Sequence, residues 1–214
     1  MYWSWNVAVS AALVVAGVPA GGSAQTASLS LLARATNPNP TLNSYTATAQ
    51  LSATLHAVIS IHKSYGGTVY YLRPNRKIEF QGVTGALSRF KDLATTTQTY
   101  EQLMQQYAVT PLSDDGTVST YSLAPKKTGG RVKDIVVTIG DTSAMLRTAA
   151  WDYTNGGKLT VAQTYATVGS YRLPSQATIA ARFPGYSVDG TLTFSNYQPN
   201  ATVSPSVFTT PPAE

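Results

Sequence analysis

Between Tyr45 and Ile61 the chain alternates with a period of two. Every odd position, from Tyr45 through Leu51, Leu55 and Ile59, is apolar, and every even position but Val58 is polar. Successive strand side chains point to opposite faces, so the pattern describes a strand with one face on apolar material and one in water. The stretch is seventeen residues long. At strand rise that is roughly 56 Å, about three times an ordinary strand. A strand of that length must curve or cross several partners in a coiled sheet. Ala47, Ala49, Ala53 and Ala57 make much of its apolar wall. Small side chains leave space, which either houses a ligand or is filled by helices and aromatic rings. The sequence leaves both open.

The rest of the chain reads as more strands. Ser64-Tyr65-Gly66-Gly67 reads as a hairpin turn that returns residues 68–73 antiparallel to the first strand. Pro74-Asn75 interrupts that strand, because proline cannot donate to a ladder, and 76–80 continues it. Further strands are expected at 117–124, 131–139, 144–154, 158–168, 176–183 and 190–197, separated by turns such as Asp115-Gly116 and Asn155-Gly156-Gly157. Helical spacing covers 27–35 and 86–107, and Thr99-Tyr100-Glu101-Gln102 matches a capping box opening a helix to about Ala108. The proline-rich tail 199–214 reads as extended, docked by Val207-Phe208. The expected fold is mainly β (α+β): a curved antiparallel half-barrel sheet covered by a few short helices, with an apolar cavity.

Residues 1–24 read as a signal peptide, with an apolar run from Val7 to Val18 and a small-residue exit at Gly22-Ser23-Ala24. The run is too short to span a bilayer, which needs about 20 residues. A buried helix or an uncleaved anchor is the alternative, since no Lys or Arg precedes the run. Residues 25–214 then form a single domain that works outside the cytoplasm. The sequence has no cysteine, which excludes disulfides, thiolate metal sites and cysteine nucleophiles. Lys and Arg exceed Asp and Glu by 15 to 10, without a basic run or interleaved aromatic ladder, so nucleic acid is not an expected partner.

One segment carries more information. Gly67-Thr68-Val69-Tyr70-Tyr71-Leu72-Arg73-Pro74-Asn75, after a signal peptide, a short helix and a long strand, resembles the LolA/LolB family of periplasmic lipoprotein carriers. The closing Val207-Phe208-Thr209-Thr210-Pro211-Pro212 is similar to that family's final segment. The resemblance implies a monomeric, non-enzymatic half-barrel that holds the acyl chains of lipoproteins or lipids and shuttles them towards the outer membrane. It implies membrane-bound donor and acceptor proteins, transient membrane contact and no cofactor. It places Arg73, Pro74 and Asn75 at the cavity rim, with the Arg73 guanidinium bonding the helical lid of the empty carrier. The alternative for Arg73 is an ion pair with Glu79 or Asp92. Leu51, Leu55, Ile59, Tyr71 and Trp151 are the expected cavity lining. This chain departs from the family's pattern in the 86–107 stretch, where a strand pair is usual. An envelope sensor of the RseB type, built on the same fold and without transport activity, is the alternative function.

The remaining chemistry is sparse. His56 and His62, six positions apart on one strand, lie roughly 20 Å apart and cannot share a metal. Asp114-Asp115 is explained by turn chemistry rather than calcium. No nucleophile elbow, zinc motif or phosphate loop occurs, so an enzyme is not expected.

Overall fold

The computed structural model describes residues 22–82 and 92–209. Helix α1 (Gly22–Thr36) leads into β1 (Ser44–His56), β2 (Ser60–Leu72), β3 (Asn75–Phe80) and β4 (Asp92–Thr96). After α2 (Tyr100–Gln106) come β5 (Tyr107–Asp114), β6 (Val118–Pro125), β7 (Val132–Gly140), β8 (Met145–Tyr153), β9 (Lys158–Val168), β10 (Tyr171–Phe183) and β11 (Tyr186–Pro199). A 3-10 turn, Pro205–Phe208, closes the described chain. The strands form one sheet in the order β4-β3-β2-β1-β11-β10-β9-β8-β7-β6-β5. Every pairing is antiparallel.

The two edge strands, β4 and β5, are consecutive in the chain. Residues 97–106 join them, and seven of these ten are the helix α2. Laid flat, eleven strands would span about 48 Å. The connection reaches at most about 20 Å, adding three extended residues to two turns of helix. The sheet must therefore curl until its edges nearly meet, and α2 crosses the gap. This is the expected curved half-barrel, with short helices on its open side. α1 packs on the same side, against α2 and β7.

Three readings are corrected. The alternating stretch is two strands, not one, because the chain reverses over 57–59. His56 pairs with Ser60, Thr54 with His62 and Leu55 with Ile61. Partners across this hairpin differ by an even number of residues, so odd positions face one side in both arms and the alternation survives the turn. Ser64–Gly67 is accordingly the middle of β2 rather than a turn. Second, 92–96 is a strand paired with β3, not part of a helix. Leu87 and Phe90 of that expected helix lie outside the described residues. The capping box does open α2, with Thr99 Oγ1 accepting from Gln102 N and Gln102 Oε1 accepting from Thr99 N, but the helix ends at Gln106. Third, β5 was absent from the expected strands, and β10 and β11 begin earlier than their periodicity suggests. The expected signal peptide falls mostly outside the described residues. α1 starts at Gly22 and runs through Ala24.

The concave face carries two cores. One joins Leu31 and Leu32 of α1 and Leu103 and Met104 of α2 to Tyr121, Leu123, Ile135, Val137, Trp151 and Leu159. The other joins Leu42, Tyr45, Ala47, Ala49, Val69, Ile78, Phe80, Leu173, Leu192 and Phe194. Val161 of β9 touches both.

Gly67 shows how tightly β2 sits. It lies opposite Ala49 on one side and Phe80 on the other. A Cβ there would come within 2.5 Å of the Glu79 carbonyl oxygen and 3.0 Å of the Phe80 ring. Backbone cannot yield as a side chain does, so Gly67→Ala is expected to cost about 1–3 kcal/mol. A thermal melt should show a fall of several degrees; an unchanged melting temperature would contradict this packing.

Candidate functional site: a lidded hollow between the two cores

Between the cores the half-barrel holds a hollow of about 580 Å³. Its floor is the sheet: Tyr45, Tyr71, Arg76, Tyr165 and Leu173. Its cover is the end of α1 with the loop 37–42, and its far wall is 97–101 at the start of α2. The volume falls in the range of small-molecule sites, about 300–1,000 Å³.

The cover is pinned from two sides. The Arg73 guanidinium donates to the carbonyls of Pro40 (3.1 Å), Asn39 (2.8 Å) and Leu42 (2.6 Å). The Arg73 N–H donates to Asn43 O. Across the hollow, the Asn39 side chain imitates a strand neighbour of β10. Its Nδ2 donates to Arg172 O (2.8 Å), and its Oδ1 accepts from Arg172 N (3.0 Å). Leu42 is buried beneath. Arginine suits such a clasp because its planar fork offers five donors, enough for three carbonyls in one loop. β2 ends here and the chain turns at Arg73-Pro74 into β3, since proline cannot donate to a ladder.

The floor is aromatic. Arg76, Tyr71 and Tyr45 are consecutive cross-strand neighbours on β3, β2 and β1. The Tyr45 and Tyr71 rings stack at 4.9 Å, and Tyr197 meets Tyr45 edge-on at 5.4 Å. Tyr197 Oη donates to Pro174 O, and Tyr165 Oη donates to Leu146 O. Burial pushes Tyr165 up to about 12, against the pull of Arg76 and Arg147. Burial also raises Tyr45 and Tyr197, so all three keep their protons at any ordinary pH. The lining carries three cations, Arg73, Arg76 and Arg172, against one exposed carboxylate, Glu101.

Of the residues the sequence put forward, Arg73, Pro74 and Tyr71 line this hollow. Asn75 pairs with Leu72 and Thr96 at the adjoining turn instead. Arg73 is not ion-paired among the described residues, and Glu79 pairs with Lys77 at 2.7 Å. Four expected lining residues lie elsewhere. Trp151 is fully packed in the first core. Leu51 packs on the second, and Leu55 lies further out on β1, half-buried. Ile59, placed inside on the assumption of one long strand, is 68% exposed at the hairpin tip beside fully exposed Val58. The reversal also brings His56 and His62 onto adjacent strands, where they bond Ser60 and Thr54. No group of metal-binding side chains forms among the described residues. Asp115 accepts from Thr117 and Val118 within its turn, as turn chemistry predicts, and these bonds hold its carboxyl below the usual range.

Sequence reasoning missed Arg76, Gln98, Tyr165 and the Asn39 bridge. For Arg76 a signal existed: it shares the inward face with Ile78 and Phe80, two and four positions on, so a cation stood in an apolar row.

No protein-family model and no curated protein matches this chain. Solved structures do. A Vibrio parahaemolyticus structure described as an outer membrane lipoprotein-sorting protein domain superposes with a TM-score of 0.62 at 13% identity, over 84% of this chain and 95% of that one. A LolA superfamily protein from Nitrosomonas europaea gives 0.56 at 10% identity, covering 86% and 97%. A DUF1329 family protein from Desulfovibrio piger gives 0.52 at 10%, covering 86% and 96%. The chain thus shares the LolA-like fold over nearly the whole length of these structures.

The clasp has a direct consequence. Arg73→Leu frees three carbonyls of the cover while leaving Leu42 buried. Hydrogen exchange in residues 37–43 should quicken by about tenfold or more, the equivalent of one charge-assisted bond. Exchange in β6 and β7 should not change. Equal exchange of 37–43 in both proteins would show that Arg73 does not hold the cover.

Proposed function

We propose that the protein is an extracytoplasmic carrier that holds acyl chains of lipoproteins or lipids in the hollow between its two cores and shuttles them towards the outer membrane. The observation that carries this reading is the hollow of about 580 Å³ beneath a cover fastened by hydrogen bonds to carbonyls. A packed interior would have needed no removable cover. The clasp supplies an empty state: with Arg73 engaged the cover is held over part of the hollow, and its release would widen the entrance for a chain. Arg73 is then the lid residue, with Pro74 at the rim and Tyr71 in the lining. The shared fold supports a sorting-type domain, and the apolar run at 7–18 supports export. Neither names the cargo.

Native mass spectrometry of residues 25–214, prepared without detergent, tests the reading. A bound mass of several hundred daltons, or saturable uptake of a fluorescent fatty acid, is expected. An apo mass that ignores the probe contradicts it. Arg73→Leu should fold and bind, yet release its cargo to acceptor vesicles more slowly, because the closed empty state has lost its bonds. Unchanged transfer would remove Arg73 from the mechanism.

Carriage also requires membrane contact, and the β1–β2 tip supplies a surface for it. Val58 and Ile59 project from the end of the sheet with no apolar neighbour covering them. By strand pairing, Lys63, Lys126, Lys127, Arg131 and Lys133 lie towards that same end of the sheet, against Asp134; Asp152 and Asp189 lie there too, ion-paired with Lys158 and Arg182. Two exposed apolar side chains at the tip, with Lys63 on the same hairpin and further cations towards the same end of the sheet, fit an anionic lipid surface. Replacing Val58 and Ile59 with Asp should reduce cosedimentation with phosphatidylglycerol vesicles several-fold and leave probe uptake in solution unchanged. Equal cosedimentation would place the contact elsewhere.

A further inference from the structure

The hollow is not a purely apolar chamber. Arg76 stands on its floor with the guanidinium carbon 5.0 Å from the centre of the Phe194 ring. No carboxylate among the described residues pairs with it. Its Nε is buried and has no hydrogen-bond partner. Gln98, on the opposite wall of the same hollow, buries an Oε1 that also lacks a partner. Buried polar atoms are nearly always satisfied in folded proteins, and the Nε of half-buried Arg76 is not. Two exceptions therefore lie in one cavity, and that cavity also holds Arg73 and Arg172.

The two other arginines are placed differently: Arg172 is exposed at the rim, where water solvates its guanidinium. Arg73 is committed to the cover, and the backbone of Arg172 is bound by Asn39. Arg76 has an aromatic face beneath it, and burial keeps the nearby phenols of Tyr45 and Tyr165 protonated. A charge in such surroundings lacks an anion. Gln98 complements this, since an amide turned by 180° presents two donors where it now presents an acceptor. A carboxylate or phosphate oxygen bridging the Arg76 fork and the Gln98 amide would satisfy both sites. The stacked Tyr45–Tyr71 pair, next to Arg76 in register, would lie along the first part of an attached chain.

We propose that the hollow selects amphiphiles with an anionic headgroup, which Arg76 and Gln98 bind while the chain lies among the tyrosines. The proposal rests on the carrier reading and narrows its cargo: a neutral acyl chain would leave Arg76 unpaired, whereas an anionic one would neutralise it. It assigns separate tasks to two arginines three positions apart. Arg73 controls the cover and Arg76 chooses the cargo.

The test uses the full chain and three probes of equal chain length: dodecanoate, dodecyl phosphate and dodecanol, measured by displacement of a fluorescent fatty acid. The wild-type protein should bind one or both anions at least about tenfold more tightly than the alcohol, the effect of one charge-assisted hydrogen bond. A preference for the phosphate over the carboxylate would point to a lipid phosphate, and the reverse to a free fatty acid. Arg76→Met, which keeps the length of the stem, should abolish the preference and still bind dodecanol. Arg76→Lys should keep part of the preference. Equal wild-type affinity for all three probes would overturn the anion proposal and leave the carrier reading standing. Binding of none of them would end both. A preference that survives in Arg76→Met but vanishes in Arg172→Met would move the headgroup site to the rim and overturn the assignment to Arg76. If Arg76→Met fails to fold, the wild-type comparison of dodecanoate with dodecanol decides the anion preference, and Arg76→Lys, which must lower it, decides the assignment to Arg76.

Discussion

The structure depends on the shortness of one connection. The two edges of an eleven-stranded sheet are joined by ten residues, 97–106. A flat sheet cannot satisfy that tether, so the sheet must curl. Once curled, it presents a concave apolar face too wide to fill from its own side chains, and many of these are alanine. The helices α1 and α2 fill one end and the aromatic residues of β1, β2, β10 and β11 fill the other. The hollow is what remains between them. Its existence follows from curvature and side-chain size, not from any one residue.

A hollow in a folded chain is costly, since each unfilled space forfeits dispersion contacts. The cover offsets this with polar bonds in place of packing. Arg73 and Asn39 hold it through backbone carbonyls and one backbone N–H, none of which depends on the shape of what lies beneath. The proposed opening would break only these bonds, which can exchange with water, while Leu42 keeps the loop anchored. The floor is built differently. Its tyrosines are stacked and hydrogen-bonded to strand carbonyls, and so are fixed. A fixed floor under a cover held by polar bonds is the arrangement that the proposed carriage would use.

Much of this could be read in the sequence, and the failures have physical causes. Period-two alternation and the turn residues gave the strands from β6 onwards within a few positions, and the capping box placed the start of α2. The largest error came from the same signal. A hairpin whose paired residues share parity, such as His56 with Ser60, continues the alternation across its turn, and Ala57-Val58-Ile59 lacks the glycine or asparagine that marks most turns. Treating two strands as one sent Ile59 inside and held the two histidines apart. Gly67, taken for part of the turn, is glycine because β3 approaches too closely for a side chain. The site was legible in part. Arg73, Pro74 and Tyr71, singled out from a motif, lie in the lining, whereas Asn39, Gln98 and Tyr165 reach the hollow from distant segments that register alone brings together. Trp151 was assigned to the lining because large aromatics suit both walls and cores, and only packing separates the two.

The most direct test is a crystal structure of the protein grown with excess fatty acid. The account predicts chain density between Tyr45, Tyr71 and Tyr165, the Arg73 bonds to residues 39–42 lengthened or broken, and both cores unchanged. Density confined to the outer surface, or a hollow closed by rearranged side chains with the Arg73 clasp intact, would contradict it.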